Sequence, residues 1–297
     1  RPAQAATGDA NSAADGGCAV PPKDLRRLRV SGSCGKLGSN RRLQCEYTTG
    51  GYHALSAISA LNLGADLVHV MCAPDAASVI KTYSPELIVC PGLDPERLLE
   101  RMDAVVLGPG LGRCSQLSRL IDGSTRFLMA YGFLCESLRN DDIPALQSAI
   151  LTPNMVEFSR LCESALGVHD VLNIKDQNQL QDLAARLSSH LNTSLFVKGK
   201  VDIITSPDGN VVIGDEEGCP RRCGGQGDVT SGTLAMFLLW ASRNLSGSEA
   251  KLAAGLASSQ LVRRCAKLAF SSIGRSMITT DLISNIPVVL QEIDKGK

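Results

Sequence analysis

Residues 221–241 read RRCGGQGDVTSGTLAMFLLWA. Gly224, Gly225, Gln226 and Gly227 lead directly into Asp228, and the apolar run that follows predicts a buried helix from Val229 to about Ala241. So permissive a stretch loses much backbone entropy on ordering, so its placement calls for a reason. Successive N–H groups at the start of a helix form a nest for an anion, and the helix dipole adds to it. A phosphate fits there. Asp228 reads either as the helix N-cap or as a base beside the anion. A cap needs no flanking glycines, whereas main chain approaching a phosphate does, which favours the base.

Upstream, the chain alternates. YHALSAISALNLGADLVHVM at 52–71 reads as helix, a break at Gly64, then a strand around Leu67 to Val70. LIVC at 87–90, AVVLG at 104–108, AILTP at 149–153 and LFVKG at 195–199 are further buried-strand candidates, with helical segments between most of them. Strands alternating with helices predict βαβ units, hence an α/β fold with a mainly parallel sheet covered on both faces. DIITSPDGNVVIG at 202–214 reads instead as a hairpin around Pro207-Asp208-Gly209, at the sheet edge. Residues 1–28, rich in small residues, Gly, Pro and Asp, read as a disordered lead-in, and 29–297 as a single catalytic domain.

Composition narrows the partner. With 30 basic and 30 acidic residues the formal charge is zero, and no basic block suits nucleic acid or an anionic membrane. Aromatic content of 4% leaves few platforms for stacking bases, so a small molecule is expected. Eleven cysteines show no CxxC pair and no histidines at ligand spacing, so they read as reduced thiols of a cytoplasmic or mitochondrial protein, with no protein-held metal. No apolar run reaches the roughly 18 residues of a membrane span.

Two other glycine-rich stretches fail the usual phosphate signatures. SGSCGKLGS at 31–39 has Leu37 where a P-loop needs its hydroxyl, and GPGLG at 108–112 misses the dinucleotide fingerprint. The second still follows a strand, where open α/β sheets bind ligands. In LTPNMVEFSRL at 151–161 a strand breaks at Pro153 and a helix begins near Asn154. Asn154 and Glu157 stand in cap-like positions, three apart, and could equally hold a hydrated Mg²⁺ or a substrate amide. VKGK at 197–200 closes a strand with a cation and a glycine, a turn suited to a nucleotide.

Together these stretches resemble the ribokinase-like superfamily, marked by its GxGD loop, here Gly225-Gln226-Gly227-Asp228. Within it, RRCGGQGD, LTPNMVEFSRL, GPGLGR at 108–113 and GADLVHVMCAPDAASVIKTYSPELIV at 64–89 resemble the eukaryotic ATP-dependent NAD(P)H-hydrate dehydratases. The resemblance implies a three-layer α/β/α sandwich that dehydrates S-hydrated NADH and NADPH (NADHX and NADPHX) with ATP and Mg²⁺. It assigns Asp228 as the base. It places Lys198, Gly199, Lys200, Val201, Asp202, Gly218, Cys219, Pro220, Arg221, Arg222, Cys223, Gly224, Gly225, Gln226 and Gly227 around ATP. Gly110, Gly112, Asn154, Met155, Val156, Glu157, Phe158, Ser159, Arg160 and Asp228 would contact the hydrated dinucleotide. A homo-oligomer is compatible with the sequence.

The resemblance departs at two places. FLMAYGFL at 127–134 has Met129 and Tyr131 where the family carries an acidic DAD turn, and Arg41 and Arg42 replace the glycines before EYTTGGYHAL. A kinase of a small vitamin precursor shares the GxGD loop, and a nucleotide-binding homologue without turnover would fit the lost acids. The CGGQGD and NMVEFSRL wording favours the active dehydratase.

Overall fold

Long apolar runs make the strands, and their side chains divide between two cores. The computed structural model describes residues 42–45, 52–92, 102–108, 127–129 and 149–295. The N-terminal half contributes β1 (Arg42–Cys45), α1 (Tyr52–Asn62), β2 (Leu67–Cys72), α2 (Pro74–Tyr83), β3 (Ile88–Pro91), β4 (Ala104–Leu107) and β5 (Phe127–Met129). The rest contributes β6 (Ile150–Leu151), α3 (Met155–Leu166), α4 (Gln177–Leu191), β7 (Ser194–Val197), β8 (Asp202–Thr205) and β9 (Val211–Gly214). Three helices close the chain: α5 (Gln226–Ala241), α6 (Gly247–Ile273) and α7 (Thr279–Asp294).

The described strands form one nine-stranded sheet in the order β3-β2-β1-β4-β5-β6-β7-β8-β9. All pairs are parallel up to β7, and β8 and β9 add antiparallel, so the expected hairpin does lie at an edge. The chain runs outward from β1 to β3, then returns to start β4 on the other side of β1. This reversal is a switch point, and open α/β sheets bind ligands beyond the carboxyl ends of the strands at such points. The helices α1, α2, α5, α6 and α7 cover one face of this sheet, and α3 and α4 cover the other.

Side-chain burial follows that division. Val106, Ile150, Phe196 and Ile204 face a core shared with α1, α5, α6 and α7. Their neighbours Val105, Leu107, Leu151, Leu195, Val197 and Ile203 face the other core, under α3 and α4. The alternation has the strand's period of two, although both faces are apolar. Burying a side chain such as Phe196, 1% exposed, contributes on the order of 2–3 kcal/mol. Helix α5 is buried on every side from Val229 to Leu239, as an all-apolar helix must be, and packs between α1 and α6. Gly232 permits that packing, since a Cβ there would lie 2.9 Å from the Ser56 carbonyl carbon of α1.

Three local expectations change. AILTP yields strand only at Ile150–Leu151, because Pro153 has no N–H to pair, and parallel contact resumes as an isolated Asn154–Lys198 bridge. Helix α5 begins at Gln226 rather than Val229, because Gly225, at φ 88°, turns the chain into it early. Arg42, one of the two arginines that depart from the family, opens β1, which pairs with β2 over Arg42–Cys45 and with β4 over Leu43–Cys45. The expectations for residues 1–28 and for SGSCGKLGS lie outside the described residues. Among the described residues no helix is long and apolar enough to cross a membrane, and Cys72, Cys90, Cys162, Cys219, Cys223 and Cys265 are free thiols.

Candidate functional site

Parallel pairing brings the chemistry to one edge of the sheet. β6 and β7 both end there, and the Lys198 N–H donates to the Pro153 carbonyl at 2.8 Å. β8 runs the other way, so it begins at that edge with Asp202, and β9 ends there, with Gly214 opposite Asp202. The segment after Gly214 therefore stays on this edge and delivers the first turn of α5. Gly108, at φ 125°, carries the chain out of β4 at the switch point. Gly110 and Gly112 lie outside the described residues. Met129 ends β5 in register with Leu107 and Leu151, and Tyr131 lies outside the described residues.

The N-cap of α5 is Gly225, so Asp228 is a first-turn residue and not the cap. No side chain caps this helix, which leaves the leading N–H groups of Gln226 and Gly227 directed at whatever approaches. Burial pushes the Asp228 carboxyl up to about 6, although Lys198 and a backbone hydrogen bond pull it down. Burial also lowers Lys198, against the pull of Glu157, Asp228 and Asp202. The exposed Arg222 lowers it further. The ammonium sits close by, for a Cβ on Gly227 would stand 3.4 Å from Lys198 Nζ. A carboxyl poised about one unit below neutral pH, beside a desolvated cation and free helix N–H groups, can accept a proton while an anion is held next to it.

The glycines have separate reasons. Gly225 is left-handed, and a Cβ on it would meet Leu55 Cδ1 at 2.5 Å and Thr279 Oγ1 at 3.2 Å. It is required by α1 and α7, independently of any ligand. Gly227 keeps the Lys198 head close. The preceding segment is tied to the start of α7: Thr279 Oγ1 donates to the Gly224 carbonyl and lies 3.4 Å from Cys223 Sγ, and Arg221 Nε donates to the Met277 carbonyl at 3.0 Å. Cys219 Sγ donates to the Arg221 carbonyl at 3.0 Å and lies 3.9 Å from Met277 Sδ. Arg221, Cys219 and Cys223 thus shape the loop, while Pro220 and Arg222 are exposed.

Asn154 and Glu157 form a reciprocal capping box on α3. Asn154 Oδ1 accepts the N–H groups of Val156 and Glu157, both at 3.0 Å, and Glu157 Oε2 accepts the Asn154 N–H at 2.7 Å. Met155 packs beside Gly199. Val156 and Arg160 are exposed and Ser159 is half-buried, but Phe158 is fully buried in the core under α3 and α4, so it presents no surface to a ligand.

Asp202, expected beside ATP, spends its carboxylate within the protein. Oδ1 accepts the Gly199 N–H at 3.0 Å, and Oδ2 accepts Ser259 Oγ at 2.7 Å and Arg263 Nε at 2.9 Å. It holds the turn Gly199, Lys200 and Val201, whose only exposed member is Lys200. Ser259, Arg263, Met277 and Thr279 are absent from the sequence-based set. Their bonds reach partners 47 to 64 residues away, and no local pattern marks them.

The chain matches the family described as NAD(P)H-hydrate dehydratase over residues 44–288. It is 44% identical to an ATP-dependent (S)-NAD(P)H-hydrate dehydratase of Caenorhabditis elegans, over 92% of each chain. Its fold is similar to a crystal structure of the ADP/ATP-dependent NAD(P)H-hydrate dehydratase of Bacillus subtilis co-crystallised with ATP and Mg²⁺. That TM-score is 0.68 at 18% identity, covering 93% of this chain and 99% of the other. A ribokinase-like superfamily protein of Enterococcus faecalis gives a TM-score of 0.67 at 17% identity, covering 85% and 87%. The architecture is accordingly ribokinase-like, and the chain belongs to the NAD(P)H-hydrate dehydratase family.

Proposed function

We infer that this chain dehydrates the S-epimer of hydrated NADH or NADPH at the expense of ATP, releasing NAD(P)H, ADP and phosphate. The observation that carries the chemistry is the partly buried Asp228, held near pKa 6 at the uncapped start of α5 beside Lys198. Hydroxide leaves a ring carbon poorly, and a phosphate ester leaves well. Asp228 takes the hydroxyl proton as that oxygen bonds to the γ-phosphorus and the bond to ADP breaks. The N–H groups of Gln226 and Gly227, with Lys198, bear the charge on the transferring group. The phosphate then departs with the C–O electron pair, and the neighbouring ring carbon gives up a proton to water to form the double bond.

The ATP-facing residues in this reading are Lys198 to Val201, Gly218, and the segment from Pro220 through Gly227. Asn154 to Glu157, Ser159 and Arg160 line the approach of the hydrated ring, with Gly110 and Gly112 on the segment after β4. Mg²⁺ would be carried on the phosphates and its own water. Bound so, it would neutralise phosphate charge, with Asp228 and Glu157 the nearby carboxylates.

The test is direct. Purified protein is mixed with ATP, Mg²⁺ and S-hydrated NADH, and absorbance of the reduced nicotinamide is followed. Recovery of NADH that depends on ATP and disappears in Asp228→Asn supports the reading. An unchanged spectrum from folded, ATP-binding wild-type protein sinks it and leaves a nucleotide-binding homologue without turnover.

A further inference from the structure

The Lys198–Asp202 turn lies beside the Glu216–Gly218 segment, which follows β9 and leads into the stretch assigned to ATP from Gly218 onward. One side chain on α6 joins them. The Arg263 guanidinium donates through Nε to Asp202 Oδ2 at 2.9 Å and through Nη2 to the Gly199 carbonyl at 3.1 Å. Its Nη1 donates to the Lys200 carbonyl at 3.1 Å and to the Glu216 carbonyl at 3.4 Å. The stem lies under the second segment, where a Cβ on Gly218 would be 3.7 Å from Arg263 Cγ. Its side chain is only 17% exposed and that of Asp202 10%.

The geometry exploits what a guanidinium alone offers. Its planar fork carries five fixed donors, enough to serve one carboxylate and three carbonyls diverging from two segments. A lysine ammonium could keep the pairing with Asp202 but could not span both sets of carbonyls. The next residues strengthen the outer segment only: Arg264 Nη2 reaches Glu216 Oε2 at 3.3 Å and Lys267 reaches Glu217 Oε2 at 2.5 Å. All of Arg263's bonds go to main chain and Asp202, and none to Asp228 or Lys198 side chains. Its influence on the reaction therefore passes through the spacing of the two segments.

We propose that Arg263 is a positioning residue for ATP: it sets the separation of the Lys198–Asp202 turn and the Glu216–Gly218 segment, between which the nucleotide binds. The proposal rests on the ATP-dependent reading above. It separates the two substrates, because the Asn154 segment and the capping box of α3 make no contact with the guanidinium among the bonds described.

The test measures steady-state kinetics of Arg263→Lys with each substrate varied in turn, alongside ATP affinity by calorimetry without the hydrated dinucleotide. Arg263→Lys is expected to raise KM and Kd for ATP about tenfold or more, with KM for hydrated NADH changed less than about twofold. Arg263→Ala is expected to show the same split, and added guanidinium ion to restore ATP affinity in part. An unchanged ATP affinity in folded Arg263→Lys overturns the proposal, as does an equal rise in KM for both substrates. Amide exchange on the wild-type protein decides the matter if neither variant folds: ATP should slow both segments together, and slowing of one alone overturns the proposal. Wild-type protein that binds ATP yet recovers no NADH sinks the dehydratase reading while leaving the ATP-affinity comparison intact.

Discussion

Lys198 and Asp228 act on each other beside Gly227. Burial raises the carboxyl to about 6 while the ammonium draws it down, and the carboxylate in turn opposes the burial that lowers Lys198. As the proposed base, Asp228 must be ionised to work. The acid limb of kcat/KM should therefore rise with pH through an inflection near 6. Lys198→Met removes the pull downward, so the inflection should move up. An inflection that stays in place on that substitution would show that Lys198 does not govern the base.

The same raised value has a cost in stability. Ionisation is disfavoured in the folded state, so the group's contribution is fully present below its ordinary 3.8 and is lost as pH rises through about 6. At pH 7 the folded protein carries a penalty on the order of 2–3 kcal/mol. Asp228→Asn should remove it, raising the melting temperature at pH 7 but not at pH 3.5 while abolishing turnover. Scanning calorimetry of both proteins at the two pH values checks this, and equal shifts at both would contradict it.

Asn154 offers a way to separate capping from substrate contact. Asn154→Ala deletes acceptors for two N–H groups at the start of α3 and should cost about 1 kcal/mol in denaturant unfolding. Asn154→Asp keeps the cap and should unfold at the wild-type midpoint. If the residue also faces the hydrated dinucleotide, the aspartate variant should still raise KM for it. Normal kinetics in Asn154→Asp would confine the residue to capping.

How much of this could be read beforehand depended on whether the information was contiguous. The alternation of strands and helices was legible because each buried strand is a single run, and the hairpin because Pro207, Asp208 and Gly209 sit together. The Asn154–Glu157 box was legible for the same reason. The start of α5 was displaced by three residues because helix propensity argues against Gly227, whereas packing of Gly225 against Leu55 and Thr279 sets the turn. Arg263 stayed hidden because its partner Gly199 is 64 residues away, as Thr279 is 55 from Gly224. Periodicity describes a helix's own faces and says nothing of what its side chains reach. Asp202 was assigned to ATP by the family resemblance, and only its three donors reveal an internal anchor.

Thr279 should matter through its hydroxyl. Thr279→Val keeps the shape but leaves the Gly224 carbonyl without this donor, at about 1–2 kcal/mol. Because that carbonyl belongs to the proposed phosphate loop, KM for ATP should rise with it, and Thr279→Ser should restore both. Failure of serine to restore ATP binding would assign the effect to methyl packing against Gly225 instead.

Gly225 combines two requirements that a double substitution can separate. A side chain there is strained by the φ of 88°, and its Cβ also collides with Leu55 Cδ1 at 2.5 Å. The backbone part alone costs about 1–2 kcal/mol for alanine, and the collision adds to it. Leu55→Ala removes the obstructing methyl but opens space beside the half-buried α1 contact, so it destabilises by itself. Combined, the two changes should be less than additive, with a coupling of roughly 1 kcal/mol in favour of the pair. Turnover should recover further than stability does, since the α5 turn regains its place once the collision is gone. Strict additivity in urea unfolding would mean that backbone strain at Gly225, and not contact with α1, holds the phosphate loop to its present shape.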